Sequence, residues 1–349
     1  MPKIIRESAP HLRRPNASVT RMMRDVTIAL LPLTIFAIYK FGMNAVWIIL
    51  VGIFSMIATE YLYYQVMDLL EGEKLKLRNK SFTLYNFSAM TSGLIYTLTL
   101  PDTTPLFVVF IGGALGMFLA KLVFGGMGQN IFNPAAVARV LVVINFGTLV
   151  SYDIDTVAGA TALQMLGDNA FNPAVLDSFN LLNLFTGMGI PGSIGEVSAL
   201  LIILGGAYLA FRTSFEVRIP LMFIGTVFVL TSVVAVAKGM GLWYPLYHIF
   251  SGGLMFGAVF MATDPITSPI TKPARVYFGF ALGFITVIIR LFGAYPEGVV
   301  FSILIMNMFV PTFDYFKWTH SKFTRKRNLI FASVIVLSMI VVLVGVLYV

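Results

Sequence analysis

The sequence predicts an all-α polytopic membrane protein with about ten transmembrane helices, and three observations carry the prediction. Of the 349 residues, 58% are hydrophobic and only 11% are charged. Apolar runs recur along nearly the whole chain, and basic residues cluster in alternate loops between them. A soluble domain could not bury this much apolar surface, so we expect the runs to cross a bilayer.

The apolar runs define the elements in order. Each must cover about 30 Å of hydrocarbon, which takes about 20 helical residues, so the shorter runs predict tilted or broken helices. The runs are 26–41, 45–66, 83–100, 105–122 and 134–150 in the first half, and 197–211, 219–237, 246–262, 276–292 and 297–313 in the second. A last run at 328–348 predicts an additional C-terminal helix.

The positions of Lys and Arg predict which side each loop faces. The tail 1–25 is basic, and further basic clusters lie at 74–80, 212–218, 272–275 and 317–327. By the positive-inside rule these segments are cytoplasmic. Lys238 is the one exception among the predicted outer loops. The loop 151–196 contains five acidic residues and no Lys or Arg, so it is predicted to lie on the outer face.

A weak internal repeat divides the chain into two halves of five helices. Residues 92–105 resemble residues 252–269. An odd number of spans per half inverts one half relative to the other, which places binding sites and broken helices near the midplane. The alternative is a chance similarity between Gly-rich helices. The predicted segments are the repeats 26–150 and 197–316, the outer-face loop 151–196, and a basic loop with the additional helix at 317–349.

The composition excludes several kinds of catalytic and redox site. Because the chain has no cysteine, it forms no disulfide and holds no iron–sulfur cluster. Its three histidines, His11, His248 and His320, are dispersed; we predict no metal site and expect His248 to pack or to cap a helix. The net charge of +8 comes from short loops and does not indicate nucleic-acid binding. Electrons that cross this chain therefore require an organic cofactor.

The most informative motif lies in the outer-face loop. Residues 155–161 read Asp-Thr-Val-Ala-Gly-Ala-Thr, so Asp155 precedes Gly159, Ala160 and Thr161. Small residues beside a hydroxyl let a bulky group approach the backbone, and an acidic neighbour helps a transferase to bring a metal-bound donor. The motif predicts a modified Thr161. The alternative is an ordinary helix N-terminus that Thr161 caps.

Two further motifs predict ligand-lining breaks at helix ends. Residues 125–136 contain three glycines together with Asn130 and Asn133, whose amides offer donors and acceptors, and the following proline starts a helix. Residues 262–269 contain Asp264, which is costly beside a membrane span unless it has a partner. The alternatives are a tight turn with an Asn cap, and an aspartate that caps the next element.

Other charged residues lie within or at the ends of the spans. Glu60 and Asp314, at the inner ends of the second and tenth runs, join Asp264 as candidates for an ion path. Arg139 and Arg290 lie inside spans, where each is expected to pair with a carboxylate, a ligand phosphate or a carbonyl.

Together, the three motifs resemble those of the RnfD and NqrB family. These proteins are membrane subunits of the Rnf ferredoxin:NAD+ oxidoreductase and of the sodium-pumping NADH:quinone oxidoreductase. The resemblance covers roughly residues 10–316, with the three motifs in matching order. NqrB-like chains carry a longer amino-terminal extension, whereas this chain begins its first span near residue 26, so RnfD is the better match.

The resemblance implies that Thr161 holds FMN through a phosphoester to its hydroxyl. It also implies a second, non-covalent flavin (riboflavin) near the cytoplasmic side, with Asn130, Asn133 and Asp264 as its lining. The candidate cofactor-binding residues are Thr161, Asp155, Gly159, Ala160, Asn130, Asn133, Arg139 and Asp264.

The resemblance further implies that the chain works within a multi-subunit complex and is not catalytic alone, with no catalytic residue of its own. Electrons pass between its flavins and a flavin of an outer-face subunit, and their flow drives Na+ or H+ across the membrane. The implied partners are that flavoprotein subunit, other membrane subunits, and soluble iron–sulfur and NADH subunits. The implied location is the cytoplasmic (inner) membrane of a bacterium or archaeon.

Two departures and two competing functions accompany this interpretation. Ala158 stands where the family usually has Ser or Thr, and the run 328–348 lies beyond the usual ten spans. The inverted repeat alone favours a solute channel or secondary transporter without a redox cofactor equally well. A third interpretation is a purely structural anchor for redox partners.

Overall fold

The computed structural model describes residues 18–71, 83–150, 153–154, 157–158, 180–189, 192–241, 243–293, 298–315 and 323–348. These residues are almost entirely helical, which confirms the predicted all-α class. Four of the described helices, beginning at Val19, Arg218, Lys272 and Arg325, are long and apolar enough to cross a bilayer, and four shorter apolar helices accompany them. The chain is a multi-pass membrane protein.

The helices follow the predicted runs in order. The first half contains α1 (Val19–Glu71), α2 (Thr83–Asn86), α3 (Ser88–Leu98), α4 (Leu106–Met117, extended by a π-helical turn at Phe118–Leu122) and α5 (Pro134–Phe146, followed by a 3-10 turn at Gly147–Leu149). Two short antiparallel strands, β1 (Asp153–Ile154) and β2 (Val157–Ala158), come next. The second half contains α6 (Leu181–Thr186), α7 (Ala199–Phe211), α8 (Arg218–Lys238), α9 (Tyr244–Phe250), α10 (Leu254–Phe256, extended by a π-helical turn at Gly257–Met261), α11 (Lys272–Phe292), α12 (Gly298–Phe313) and α13 (Arg325–Tyr348).

The helix α1 contains two spans that are joined at Gly42. This residue has φ 66° and ψ −147°, a combination that is essentially restricted to glycine, and the rest of α1 is helical. A straight helix of 53 residues would be about 80 Å long, far more than a bilayer needs. The helix α1 therefore consists of two arms, 19–41 and 43–71, which match the first two predicted runs.

Contacts with α3 show that the two arms lie side by side. In the first arm, the Thr27 and Thr91 hydroxyl oxygens are 2.9 Å apart. In the second arm, Glu60 pairs with Lys121, whose Nζ also donates to Ser88 Oγ at 2.9 Å. Ser88 and Thr91 lie on the same turn of α3. Both arms thus reach one point of α3, which requires the chain to reverse direction at Gly42.

Small residues let the helices of the bundle approach closely. A methyl group on Gly116 of α4 would lie 2.7 Å from Cα of Ala138 on α5, and one on Gly279 of α11 would lie 2.7 Å from the carbonyl oxygen of Ile219 on α8. Lipid provides no hydrophobic driving force between helices, so association rests on such backbone contacts. Substitution of these glycines would separate the helices.

Each half of the chain packs its helices mainly against neighbours of the same half. In the first half, α1 packs on α3 and α4, α4 packs on α5, and α3 also contacts α5. In the second half, α8 packs on α9 and α11, and α11 packs on α12. The five-span repeat, the inverted relation between the halves and the total of ten spans remain predictions.

The eighth predicted run is broken into α9 and α10. Ser251 is extended and Gly252 has φ 65°, so the helix cannot continue through them. The Arg290 guanidinium of α11 donates to the carbonyl oxygens of His248 and Ser251, at 2.5 and 3.2 Å. Arg290 thereby provides hydrogen-bond donors for carbonyl groups at the C-terminal end of α9, which agrees with its predicted pairing with a carbonyl. His248 itself is buried and packs edge-on against Tyr244.

The additional C-terminal run forms α13, which lies against α8 and α11. Its buried residues, Ser338, Val342 and Val346, recur every four positions and define one packed face. Phe331 packs on Tyr277 of α11, with ring centroids 4.9 Å apart. Most of the remaining surface of α13 is exposed, as expected for a helix that faces lipid.

The reversal at Gly42 can be tested by stability. Gly42→Ala places a Cβ in a backbone region that only glycine adopts readily, so we expect a loss of about 1–3 kcal/mol in the free energy of unfolding. Gly225→Ala is the matched control, because Gly225 lies inside α8 and an added Cβ there meets nothing within 4 Å. Thermal unfolding in detergent should show a lower midpoint for Gly42→Ala only, and equal midpoints would contradict the assignment.

Candidate functional site

A cavity with both apolar and polar lining residues forms where several helix ends meet, near the beginning of α1. It encloses about 620 Å³ of empty space, part of it open to the outside. The predicted residues Asn130, Asn133 and Asp264 all lie on its wall, although they come from motifs more than 120 residues apart. The other lining residues are Met22, Met23, Val26, Ser88, Thr91, Ser92, Ile95, Lys121, Pro134, Ser214, Phe215, Phe260, Thr263, Pro265 and Ile266.

Both cavity-forming motifs follow a π-helical turn. The turn after α4 leads into the Gly-rich motif 125–136, and the turn after α10 leads into the motif 262–269. Gly126 has φ 94°, and a Cβ there would lie 2.5 Å from the Tyr64 hydroxyl oxygen. Glycine is therefore required at this position both for the left-handed backbone and for the close approach of α1.

Asn130 presents an unused acceptor on the cavity wall. Its Nδ2 donates to the carbonyl oxygen of Phe132 at 3.3 Å, and the residue is only 6% exposed. Its Oδ1 is buried and has no hydrogen-bond partner in the part of the chain that the structure describes. A buried carbonyl oxygen without a partner costs about 1–3 kcal/mol, so this atom is suited to accept a bond from a ligand.

Asn133 connects the two halves of the bundle. Its Oδ1 accepts from the backbone N–H groups of Ala135 and Ala136, so it caps α5, which begins at Pro134 as predicted. Its Nδ2 donates to the Met261 carbonyl oxygen at 3.2 Å, at the end of the π-helical turn after α10. The predicted Asn cap is thus present, and the same side chain also holds the second motif in place.

Asp264 stabilises the turn at residues 264–267, which follows the π-helical turn after α10. Its Oδ2 accepts from the Thr267 hydroxyl at 3.0 Å, and it also accepts from the backbone N–H groups of Ile266 and Thr267. These contacts agree with the alternative of a capping aspartate. Because Asp264 also lines the cavity, the capping role does not remove it from the candidate ligands.

Sequence reasoning missed Lys121, which lies on the cavity wall and forms a buried ion pair with the predicted Glu60. Lys121 Nζ lies 2.8 Å from Glu60 Oε1 and 3.0 Å from Oε2, and both side chains are at most 2% exposed. The sequence analysis counted Lys121 as part of the apolar run 105–122. A lysine inside a span is by default a functional candidate, and that signal would have identified it.

A second buried carboxylate, Asp25, was also missed. Its Oδ1 pairs with Arg212 Nη2 at 3.3 Å and its Oδ2 accepts from the Ser214 hydroxyl at 2.5 Å, while Arg21 lies 3.7 Å away. This network fixes the beginning of α1 to the loop between α7 and α8. It thereby places Ser214 and Phe215 at the cavity.

The remaining predicted residues lie away from the cavity lining. Both carboxylate oxygens of Asp314 accept from the backbone N–H of Ile270, at 3.1 and 3.0 Å, ahead of α11. Arg139 is buried on α5, in electrostatic contact with Tyr96, and is not among the lining residues. Among the described residues, no group of three or more His, Cys, Asp or Glu is close enough to hold a metal ion.

The attachment motif itself, Asp155, Gly159, Ala160 and Thr161, lies outside the described residues. The described ends of its loop are fixed to the bundle. The backbone N–H groups of Ile194 and Gly195 donate to the carbonyl oxygens of Leu100 and Leu98, at 2.8 and 2.7 Å, and Lys40 Nζ donates to the Gly187 carbonyl oxygen at 2.8 Å. The loop 151–196 therefore starts and ends at the same bundle.

Comparisons with known proteins give a consistent result. A family model described as "NQR2, RnfD, RnfE family" matches residues 5–323. The chain is 36% identical over 326 residues to the D subunit of the proton-translocating ferredoxin:NAD(+) oxidoreductase complex of Clostridium ljungdahlii, which covers 88% of this chain and 93% of that protein. It is 35% identical over 316 residues to the D subunit of the Na(+)-translocating ferredoxin:NAD(+) oxidoreductase complex of Acetobacterium woodii, with coverage of 88% and 92%.

A shorter similarity extends to a related complex. Over 243 residues the chain is 37% identical to the B subunit of the Na(+)-translocating NADH-quinone reductase of Chromohalobacter salexigens, which covers 66% of this chain and 58% of that protein. The similarity to the Clostridium and Acetobacterium proteins therefore includes nearly their whole length, whereas the similarity to the Chromohalobacter protein includes little more than half of it.

The double role of Asn133 predicts a larger stability loss than an ordinary cap would give. Asn180→Ala removes the exposed cap of α6, whose Oδ1 accepts only from Leu182 N, and should cost about 1 kcal/mol. Asn133→Ala removes a cap and the buried bond to Met261, so it should cost about 1–3 kcal/mol more. Unfolding midpoints in detergent measure the difference, and equal losses would disprove the connecting role.

Proposed function

The chain belongs to the NQR2, RnfD, RnfE family, and from this premise we propose that it is the RnfD component of an ion-translocating ferredoxin:NAD+ oxidoreductase complex and carries FMN on Thr161. The family resemblance that the motifs predict is confirmed, as is the preference for RnfD over NqrB. The chain is a membrane subunit of an oxidoreductase and is not catalytic alone. We further propose that it lies in the cytoplasmic membrane, with its amino terminus inside.

The proposed covalent site rests on the motif at 155–161. Thr161 supplies a hydroxyl that can form a phosphoester with the FMN phosphate, and Gly159 and Ala160 leave room for the flavin beside the backbone. Ala158 replaces the usual hydroxyl residue, which leaves Thr161 as the only hydroxyl of the last four motif positions. Bound FMN supplies reversible electron transfer, and a phosphate tether leaves its ring unmodified, so that protein contacts alone set its potential.

The cavity is the proposed site of a second, non-covalent flavin, riboflavin. Its lining combines apolar side chains with a few polar groups, which is the usual composition of small-molecule pockets. An isoalloxazine ring has an imide edge with one N–H donor between two carbonyl acceptors. The unused Asn130 Oδ1 can accept from that N–H, and the hydroxyls of Ser92 and Thr263 lie on the same wall.

The carboxylates proposed for the ion path are all paired at rest. Glu60 pairs with Lys121, Asp264 accepts from Thr267, and Asp314 accepts from Ile270 N. A cation that uses one of them must therefore replace an existing partner. The Clostridium and Acetobacterium relatives are named for H+ and for Na+, and we propose that this chain takes part in transport of one of these ions.

The covalent flavin can be tested on a denaturing gel. The full chain, produced with its flavin transferase, should give a band that fluoresces under ultraviolet light, and Thr161→Ala should abolish the fluorescence because the phosphoester cannot form. Thr156→Ala is the matched control, since it removes a hydroxyl from the same motif and should stay fluorescent. A dark wild-type band would favour a channel or transporter without a redox cofactor.

The second flavin can be tested in the Thr161→Ala chain, where no covalent flavin contributes. Asn130→Leu removes the free acceptor with little change in volume and should weaken riboflavin binding about tenfold or more. Asn145→Leu is the control, because Asn145 is exposed on α5 and donates only to the Leu141 carbonyl oxygen. Riboflavin released by acid from each purified chain gives the occupancy, and equal occupancies would exclude Asn130 from the site.

A further inference from the structure

Lys121 is a buried lysine on the wall of the cavity. It is 1% exposed, it lies in the π-helical turn after α4, and its Nζ bonds to both oxygens of Glu60 and to Ser88 Oγ. Of the described residues that line the cavity, it is the only one with a positive charge. Asp264, on the same wall, interacts electrostatically with it.

Lys121 is the one cation that the described cavity wall offers to nearby carboxylates and to a ligand. Asp25, at the same end of the bundle, has Arg21 and Arg212 as its own partners. Lys121 alone faces two carboxylates, Glu60 and Asp264. A ligand that gains an electron adds one more negative charge to this low-dielectric region, where a nearby cation matters far more than in water. Lys121 is the described residue on the cavity wall that can offset it.

We propose that Lys121 is a tethered counter-cation, shared between Glu60 and the ligand of the cavity. The inference rests on the proposed second flavin. When the ligand is neutral, Lys121 Nζ stays on Glu60. When one electron arrives from another carrier of the complex, Nζ turns to the ligand through the flexible lysine stem, while the Ser88 hydroxyl stays within its reach. The positive charge moves by a few ångströms and no covalent bond changes.

The exchange leaves Glu60 buried without its partner. An unpaired buried carboxylate is costly, so a small monovalent cation from the adjacent aqueous phase replaces Lys121. One electron enters the cavity and one cation binds at Glu60, so the net charge of the region is conserved. Glu60 pairs with Lys121 from the turn after α4, and Lys121 in turn interacts with Asp264 and donates to the Ser88 hydroxyl of α3.

The first test is a redox titration of riboflavin bound to the full Thr161→Ala chain in detergent. Lys121→Met removes the compensating charge, so the equilibrium between oxidised and reduced riboflavin should shift about tenfold towards the oxidised form. This shift corresponds to a potential lower by about 59 mV for one electron. Glu60→Gln should shift it in the opposite direction, because it frees Lys121 for the ligand. In Lys121→Arg the riboflavin potential should stay near that of the parent chain, because the positive charge is kept. Lys238→Met, at the end of α8, is the control for the loss of a positive charge elsewhere.

Folding is checked separately, because Lys121→Met leaves Glu60 without a partner. The double variant Glu60→Gln with Lys121→Met removes both charges, so it should still bind riboflavin. Its riboflavin potential should not be raised as it is in Glu60→Gln alone. The inference is overturned if Lys121→Met binds riboflavin with the same potential as Lys238→Met. Failure of the parent chain to bind riboflavin would overturn the proposed cavity ligand as well, so the two failures are distinguishable.

The second test follows the cation. In the parent chain the riboflavin potential should rise with Na+ concentration if Na+ replaces Lys121, or should rise with falling pH more steeply than in Glu60→Gln if a proton does. Glu60→Gln should lose the Na+ dependence and keep only the pH dependence of flavin reduction itself, because the site for the replacing cation is gone. An equal dependence in both chains would remove Glu60 from the exchange.

Discussion

The absence of water in the hydrocarbon region is the constraint on which the rest of this structure depends. A polar group of the bundle that faces lipid or the protein interior has to find its partner within the protein or on a ligand. Glu60 meets Lys121, Asp25 meets Arg212, and Arg290 meets the carbonyl groups at the end of α9. These partners lie on different helices, so each pair also fixes how the helix ends are arranged. The cavity is the place where those ends meet.

The cavity is formed by interruptions of regular structure. Two π-helical turns and the Gly-rich segment bring backbone and amide groups to one wall. Asn133 satisfies groups on both sides of this wall, whereas Asn130 leaves one oxygen unused. A buried acceptor that has no partner among the described residues and belongs to the wall of a cavity is suited to bind a polar group of a ligand.

Hydropathy predicted the order of the apolar helices, because the bilayer fixes the length and composition of such runs. The helix start at Pro134 followed from its missing N–H. The partners of buried charges were not predictable in this way: Lys121 and Glu60 are 61 positions apart, and Arg212 and Asp25 are 187 apart, so no local pattern connects them. The function of Thr161 rests on its motif, since that residue lies outside the described part of the chain.

The reversal at Gly42 also limits the loop between the first two helices. One residue advances the backbone by about 3.8 Å, so the link between the first two helices cannot reach across lipid. The first two helices therefore form a hairpin with almost no loop, so very little backbone is left at this bend for contact with water or with a partner.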